Sequence, residues 1–142
     1  MLYVATGAGG GGGINIINTT GTIINTIIYS NKAPVATYNN YMFYNTNTSA
    51  GAFSNSCFYP ELSGNSTNYS ANNITNYPQF MDPVNGDYRL SRGSPCVNAG
   101  LNQEWMGNAT DMDDHRRIDN FNQIVDIGAY EYIPCGSMFT VK

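Results

Sequence analysis

A chain of 142 residues and 15.5 kDa is the size of one domain, with room for a single modest core. Charged residues make up 11% of it and hydrophobic ones 42%, so solubility rests on uncharged polar groups, chiefly Asn, Thr, Ser and Tyr. A net charge of -4 with six Lys and Arg leaves no basic stripe to neutralise phosphates, which argues against a nucleic-acid footprint and favours a neutral or carbohydrate-like partner.

In chain order, Met1 to Gly7 has no basic segment and no apolar core, so it is not a secretory signal; in an exported protein the signal lies upstream. The run Gly9 to Gly13 lacks the Lys-Ser/Thr pair and following helix of a phosphate loop. It reads as a tight turn entering a strand, or as a disordered or engineered lead-in. Short β-branched or aromatic runs follow, each ended by Asn, Ser or Gly: Ile14 to Asn18, Thr22 to Tyr29, Tyr41 to Asn45 and Ala52 to Tyr59. These predict short strands between turns, with no helix before about residue 80. No apolar run approaches the ~20 residues that span a bilayer.

Asn25-Thr26-Ile27-Ile28-Tyr29 lies over Asn55-Ser56-Cys57-Phe58-Tyr59, 30 residues apart. Strand-turn units at this spacing suggest a solenoid whose coils stack to bury their apolar faces, with Asn columns at the corners. The competing reading is a β-sandwich with Asn in ordinary loops. From about residue 78 Asp, Arg and Pro enter and the repeat ends, as expected of a terminal cap. Residues 1–77 would supply about three coils at ~20 to 30 residues each. The open first coil is expected to associate through residues 1–30, with itself or with upstream coils.

The ordered set Pro78 to Pro83, Gly86 to Ser91, Gly93 to Gly100, Thr110 to Asp113, Arg117 and Val125 to Glu131 resembles the closing segment of bacterial right-handed parallel β-helix proteins of the pectin-lyase-like superfold. The likeness is closest to large surface proteins whose helix ends before an anchor or sorting region. It implies an all-β chain: a right-handed parallel β-helix, or solenoid, of about three coils in 1–77, a loop-rich cap in 78–131 and a tail in 132–142. It further implies an extracellular or cell-surface location. The family usually has Asp where Asn98 stands, and Asp114-His115-Arg116-Arg117 departs from its Gly-Asn-Pro-Arg. Three cysteines cannot all pair, and the count alone leaves buried or free thiols open. The resemblance implies a disulfide between Cys57 and Cys96 and leaves Cys135 unassigned.

Residue by residue, Asp87 to Leu90 alternates as a half-buried strand and Ser94-Pro95 opens a turn. Asp126 to Tyr130 reads as a short strand in which Gly128 permits close approach. Asp111, Asp113, Arg116 and Arg117 are expected to pair locally and pin their loop.

Catalysis has little support. A lyase of this superfold needs acidic calcium ligands and a basic residue on one sheet, whereas residues 1–77 hold Lys32 as the sole base and Glu61 as the sole acid. A glycosidase needs two carboxylates ~5 to 9.5 Å apart, and here the carboxylates gather in the cap. Asp111-Met112-Asp113-Asp114 resembles the start of a calcium loop, making Asp111 and Asp113 the weak metal candidates, but the central Gly is missing and Asn122 replaces the closing Glu. No other cofactor is indicated. Tyr38, Tyr41, Tyr44 and Tyr59 are the candidate glycan-stacking residues, against the alternative that they fill a strand face. The leading expectation is a non-catalytic segment for adhesion or glycan binding. The alternatives are the C-terminal part of a polysaccharide lyase or glycoside hydrolase whose active coils lie upstream, and a self-assembling fibre subunit.

Overall fold

The computed structural model describes residues 13–17, 22–32, 41–44, 52–59, 72–118, 120 and 122–134. Six short strands rich in Ile, Phe and Tyr come first: β1 (Ile14–Ile17), β2 (Thr22–Ile24), β3 (Ile27–Tyr29), β4 (Tyr41–Tyr44), β5 (Ala52–Ser54) and β6 (Cys57–Tyr59). They pair in parallel as β1 with β4, β2 with β5 and β3 with β6. Thr22 stands opposite Ala52 and Ile27 opposite Cys57, so the 30-residue spacing visible in the sequence is the register of two of these pairs.

Asn25 and Asn55 form the corners between these strands, at φ 54° and 46°. This left-handed region costs most residues more than it costs Asn, whose short polar side chain bonds locally. The hydroxyl that follows each corner fastens it: Thr26 Oγ1 donates to Ile24 O and Ser56 Oγ to Ser54 O, both at 3.0 Å. Thr26 N donates in turn to Ser56 Oγ at 3.2 Å, tying one corner to the next.

The expected right-handed parallel β-helix of about three coils is not what the described residues form. Each of the four sheets holds two strands, and none closes or extends into a solenoid sheet. The physical reason is a reversal of the chain. Among the described residues beyond β6, the parallel direction persists as one bridge, Cys57 to Ile74. The chain then passes the fully buried Pro78, whose carbonyl accepts from Ser94 Oγ at 2.5 Å, and reverses through the turn at 83–86, so that β7 (Phe80–Asp82) and β8 (Asp87–Leu90) pair as an antiparallel hairpin. A stacked array needs strand after strand in one direction. Asp126 to Tyr130 is likewise not a strand but a bend, and a 3-10 turn at Glu104–Asn108 is the helical element among the described residues.

Alternation along β3 and β6 sends side chains to two cores. Ile28 and Phe58 pack with Phe53, Ile14 and Ile23; the Phe53 and Phe58 rings meet edge to face at 4.8 Å. Ile27 and Cys57 point the other way, into a cluster with Leu90, Cys96, Ile127, Phe80, Ile74 and Tyr132. The corner asparagines clamp the loop at 99–101 onto the strands. Asn25 holds Leu101 by both ends of its amide (Nδ2 to Leu101 O 2.9 Å; Leu101 N to Oδ1 2.7 Å), and Asn55 Nδ2 donates to Ala99 O at 3.1 Å. Gly128, at φ 119°, donates its N–H to Asn25 O at 3.0 Å. A Cβ on it would lie 2.9 Å from Ile27 Cδ1, so the close approach expected of this glycine is present.

Candidate functional site

A cleft of about 300 Å³ opens where β3, the β7–β8 hairpin and the bend at 127–130 meet. Each wall follows from local structure. Strand alternation turns Ile27 and Tyr29 towards it from β3, and Tyr88 and Leu90 from β8, while Phe80 comes from β7 and Asn31 lies at the edge. The far wall is Ile127, Gly128, Ala129 and Tyr130. The rings brace one another: Phe80 meets Tyr29 at 5.2 Å and Tyr88 at 5.3 Å, both edge to face, and Tyr77 lies 5.8 Å from Tyr29. Tyr88 remains 48% exposed, so the cleft keeps an aromatic surface open to solvent.

No carboxylate, amine, guanidinium, imidazole or thiol is among the described residues lining the cleft. Charge stands just outside it. Asp87 and Arg89 alternate with Tyr88 onto the opposite face of β8, where Arg89 donates through Nε and Nη2 to the two Asp87 oxygens at 2.8 and 2.6 Å. That two-point bond holds the Asp87 carboxyl down at about 2. Asp113 stands 4.0 Å from the same guanidinium.

Behind the far wall, carboxylates organise the loops at 98–132 rather than face the cleft. Asp126 accepts from Asn98 N at 2.6 Å and Tyr132 N at 2.5 Å; Asn98, at φ 53°, needs no acid of its own to close this loop. Glu131 Oε2 accepts from Asp126 N at 2.9 Å, and its Oε1 lies 3.1 Å from Arg117 Nη1, with both side chains under a tenth exposed. Burial pushes the Glu131 carboxyl up to about 8, reinforced by the Asp126 charge and opposed by the Asp126 N–H and Arg117.

The metal candidates separate. Asp111 Oδ1 accepts from Asp113 N and His115 N, and Oδ2 from Glu131 N, all at 2.8 Å. Burial acts to raise its pKa, but these three N–H donors outweigh it and hold the carboxyl below its ordinary range. Asp113 faces Arg89 instead, and no group of three metal-ligating side chains occurs among the described residues. In place of the pairing expected among Asp111, Asp113, Arg116 and Arg117, Arg117 reaches Glu131 and Asp113 faces Arg89, while Asp111 lies 3.5 Å from His115 within its own loop.

Cys57 and Cys96 come together beneath the cleft as two fully buried thiols sharing a side-chain hydrogen bond. Cys57 also donates to Asn76 O at 3.4 Å. The neighbouring Cys96 and burial push the Cys57 thiol up, while Cys57 and Ser94 hold Cys96 lower against its burial. Cys135 lies outside the described residues.

Of the candidate glycan residues, Tyr38 lies outside the described residues, as do the side chains of Tyr41, Tyr44 and Tyr59. The backbone of Tyr59 pairs with Tyr29, one strand from the cleft. Sequence reasoning missed Tyr29, Phe80, Tyr88 and Tyr130, which come together only when the hairpin folds onto β3. The available signal was Tyr88 two residues before Leu90, on the same face of a strand. Comparison with protein families, curated proteins and solved structures finds no match to the chain. No helix among the described residues is long and apolar enough to cross a membrane.

Proposed function

We propose that this chain is a non-catalytic segment of an extracellular or cell-surface protein, serving adhesion by contact with a polysaccharide or cell-surface glycan in the aromatic cleft. The observation that carries the reading is the cleft lining: aromatic rings with polar tips and no acid-base pair. Rings of this kind cover the apolar face of a sugar while their hydroxyls meet its hydroxyls. Hydrolysis or elimination would need carboxylates or a base at the bond, and the nearest buried acids, Asp126 and Glu131, are bound to backbone N–H groups.

The test is isothermal titration of the whole chain against soluble oligosaccharides, followed by product analysis after long incubation. Saturable binding without new reducing or unsaturated ends supports the reading. Catalytic release of ends, or no binding to any glycan, overturns it.

A further inference from the structure

We infer that the cleft is selective for uncharged saccharides, holding one pyranose ring of a neutral glycan against Tyr88 and Tyr130 and rejecting uronates. This rests on the glycan-contact reading and adds to it the class of sugar and the residues that select it. Three observations support it.

The first is charge. A site for acidic sugars supplies a cation, as carboxylate recognition by Arg does elsewhere. Here the described lining has none; the Arg89 guanidinium is held by both oxygens of Asp87 with Asp113 beside it, and Arg117, which donates to Gly128 O at 3.0 Å behind the wall, lies 3.1 Å from Glu131. Around Arg89, just outside the cleft, one positive and two negative groups stand together, in a chain of net charge -4. A uronate arriving there loses hydration and meets repulsion.

The second is size. About 300 Å³ is at the small end of ligand sites, which suits one sugar ring with its chain continuing into solvent over the half-exposed Tyr88. The third is rigidity. Tyr29, Phe80 and Tyr88 lock each other edge to face, and Gly128 keeps the opposite wall close to β3. A braced aromatic surface loses little freedom on binding.

The experiment compares neutral oligomers (xylo-, cello-, manno- and chito-oligosaccharides) with oligogalacturonate and oligoalginate, using the whole chain, heteronuclear shift mapping and titration. The variants are Tyr88→Ala, Tyr88→Phe and the double change Asp87→Asn with Asp113→Asn. Far-UV circular dichroism confirms folding, and Tyr88 is exposed enough for its loss to spare the core. At least one neutral oligomer should bind, shifting the amides of 127–130. Tyr88→Ala should weaken it roughly two- to tenfold, Tyr88→Phe less, and the double change should leave it near the wild-type value while raising uronate binding.

Uronates binding as tightly as neutral sugars at 127–130 would overturn the selectivity and leave glycan contact standing. So would neutral binding that ignores Tyr88→Ala and leaves 127–130 unshifted, which would place the sugar elsewhere. Binding of a proline-rich peptide with no sugar bound would overturn both.

Discussion

Joining Cys57 to Cys96 gives a perturbation of calculable size. The two thiols are buried, share a hydrogen bond and link β6 to the loop that follows β8. Refolding in a buffer of reduced and oxidised glutathione should convert them to a disulfide: the thiols lose two protons and two electrons, and one glutathione disulfide becomes two glutathiones. The closed loop spans about 40 residues. In the chain-entropy account that removes about 13 cal/mol/K from the unfolded chain, or about 4 kcal/mol at 25 °C. For a chain of this length the melting temperature should rise on the order of 10 °C. Near-ultraviolet circular dichroism of oxidised and reduced protein reads the shift, and mass spectrometry of unreduced peptides reads the bond. Both thiols alkylated after redox refolding, or equal melting temperatures for joined and reduced protein, would refute the reasoning.

Two further outcomes follow from Glu131 and from the Asn corners. The Glu131 carboxyl stands at about 8 in the fold against an ordinary value of 4.5. Its contribution to stability is therefore full below about pH 4.5 and is lost as pH rises through about 8. The urea midpoint of the oxidised protein should fall between pH 5 and 9, and Glu131→Gln should flatten that slope; an unchanged slope in the variant would assign it to other groups. Asn25→Ala removes the partner of Leu101 N, leaves Leu101 O with the 3.5 Å contact from Gln103 Nε2, and places Ala at φ 54°, so it should cost about 2 kcal/mol in urea unfolding. Asn25→Gly should recover the strain but not the hydrogen bonds, and equal costs for the two would show that strain plays no part.

Local features were the legible ones. The Asn-hydroxyl-apolar-apolar-Tyr run at 25–29 and 55–59 encodes the left-handed corner, the hydroxyl latch and the register of β3 on β6, because these depend on neighbours in sequence. Gly128 was legible for the same reason: its lack of a Cβ is the feature that the approach to Ile27 requires. Extending the parallel repeat into a solenoid failed because the chain reverses through the turn at 83–86 and pairs β7 with β8 antiparallel, beyond a Pro78 that is fixed by Ser94, 16 residues further on. Asp126 to Tyr130 alternates like a strand, yet its backbone N–H and carboxylate are taken by Glu131, Asn98 and Tyr132. The cleft was hidden because its aromatics come from positions 29, 80, 88 and 130, and a local turn joins 80 to 88 but nothing local joins these to 29 or 130.

The measurement closest to the central claim is the shift map of the folded chain titrated with a neutral oligosaccharide. The account predicts saturable shifts at Tyr29, Tyr88 and Gly128 to Tyr130, with the sugar recovered intact. Saturation with those amides unmoved, or recovery of cleaved sugar, would contradict it.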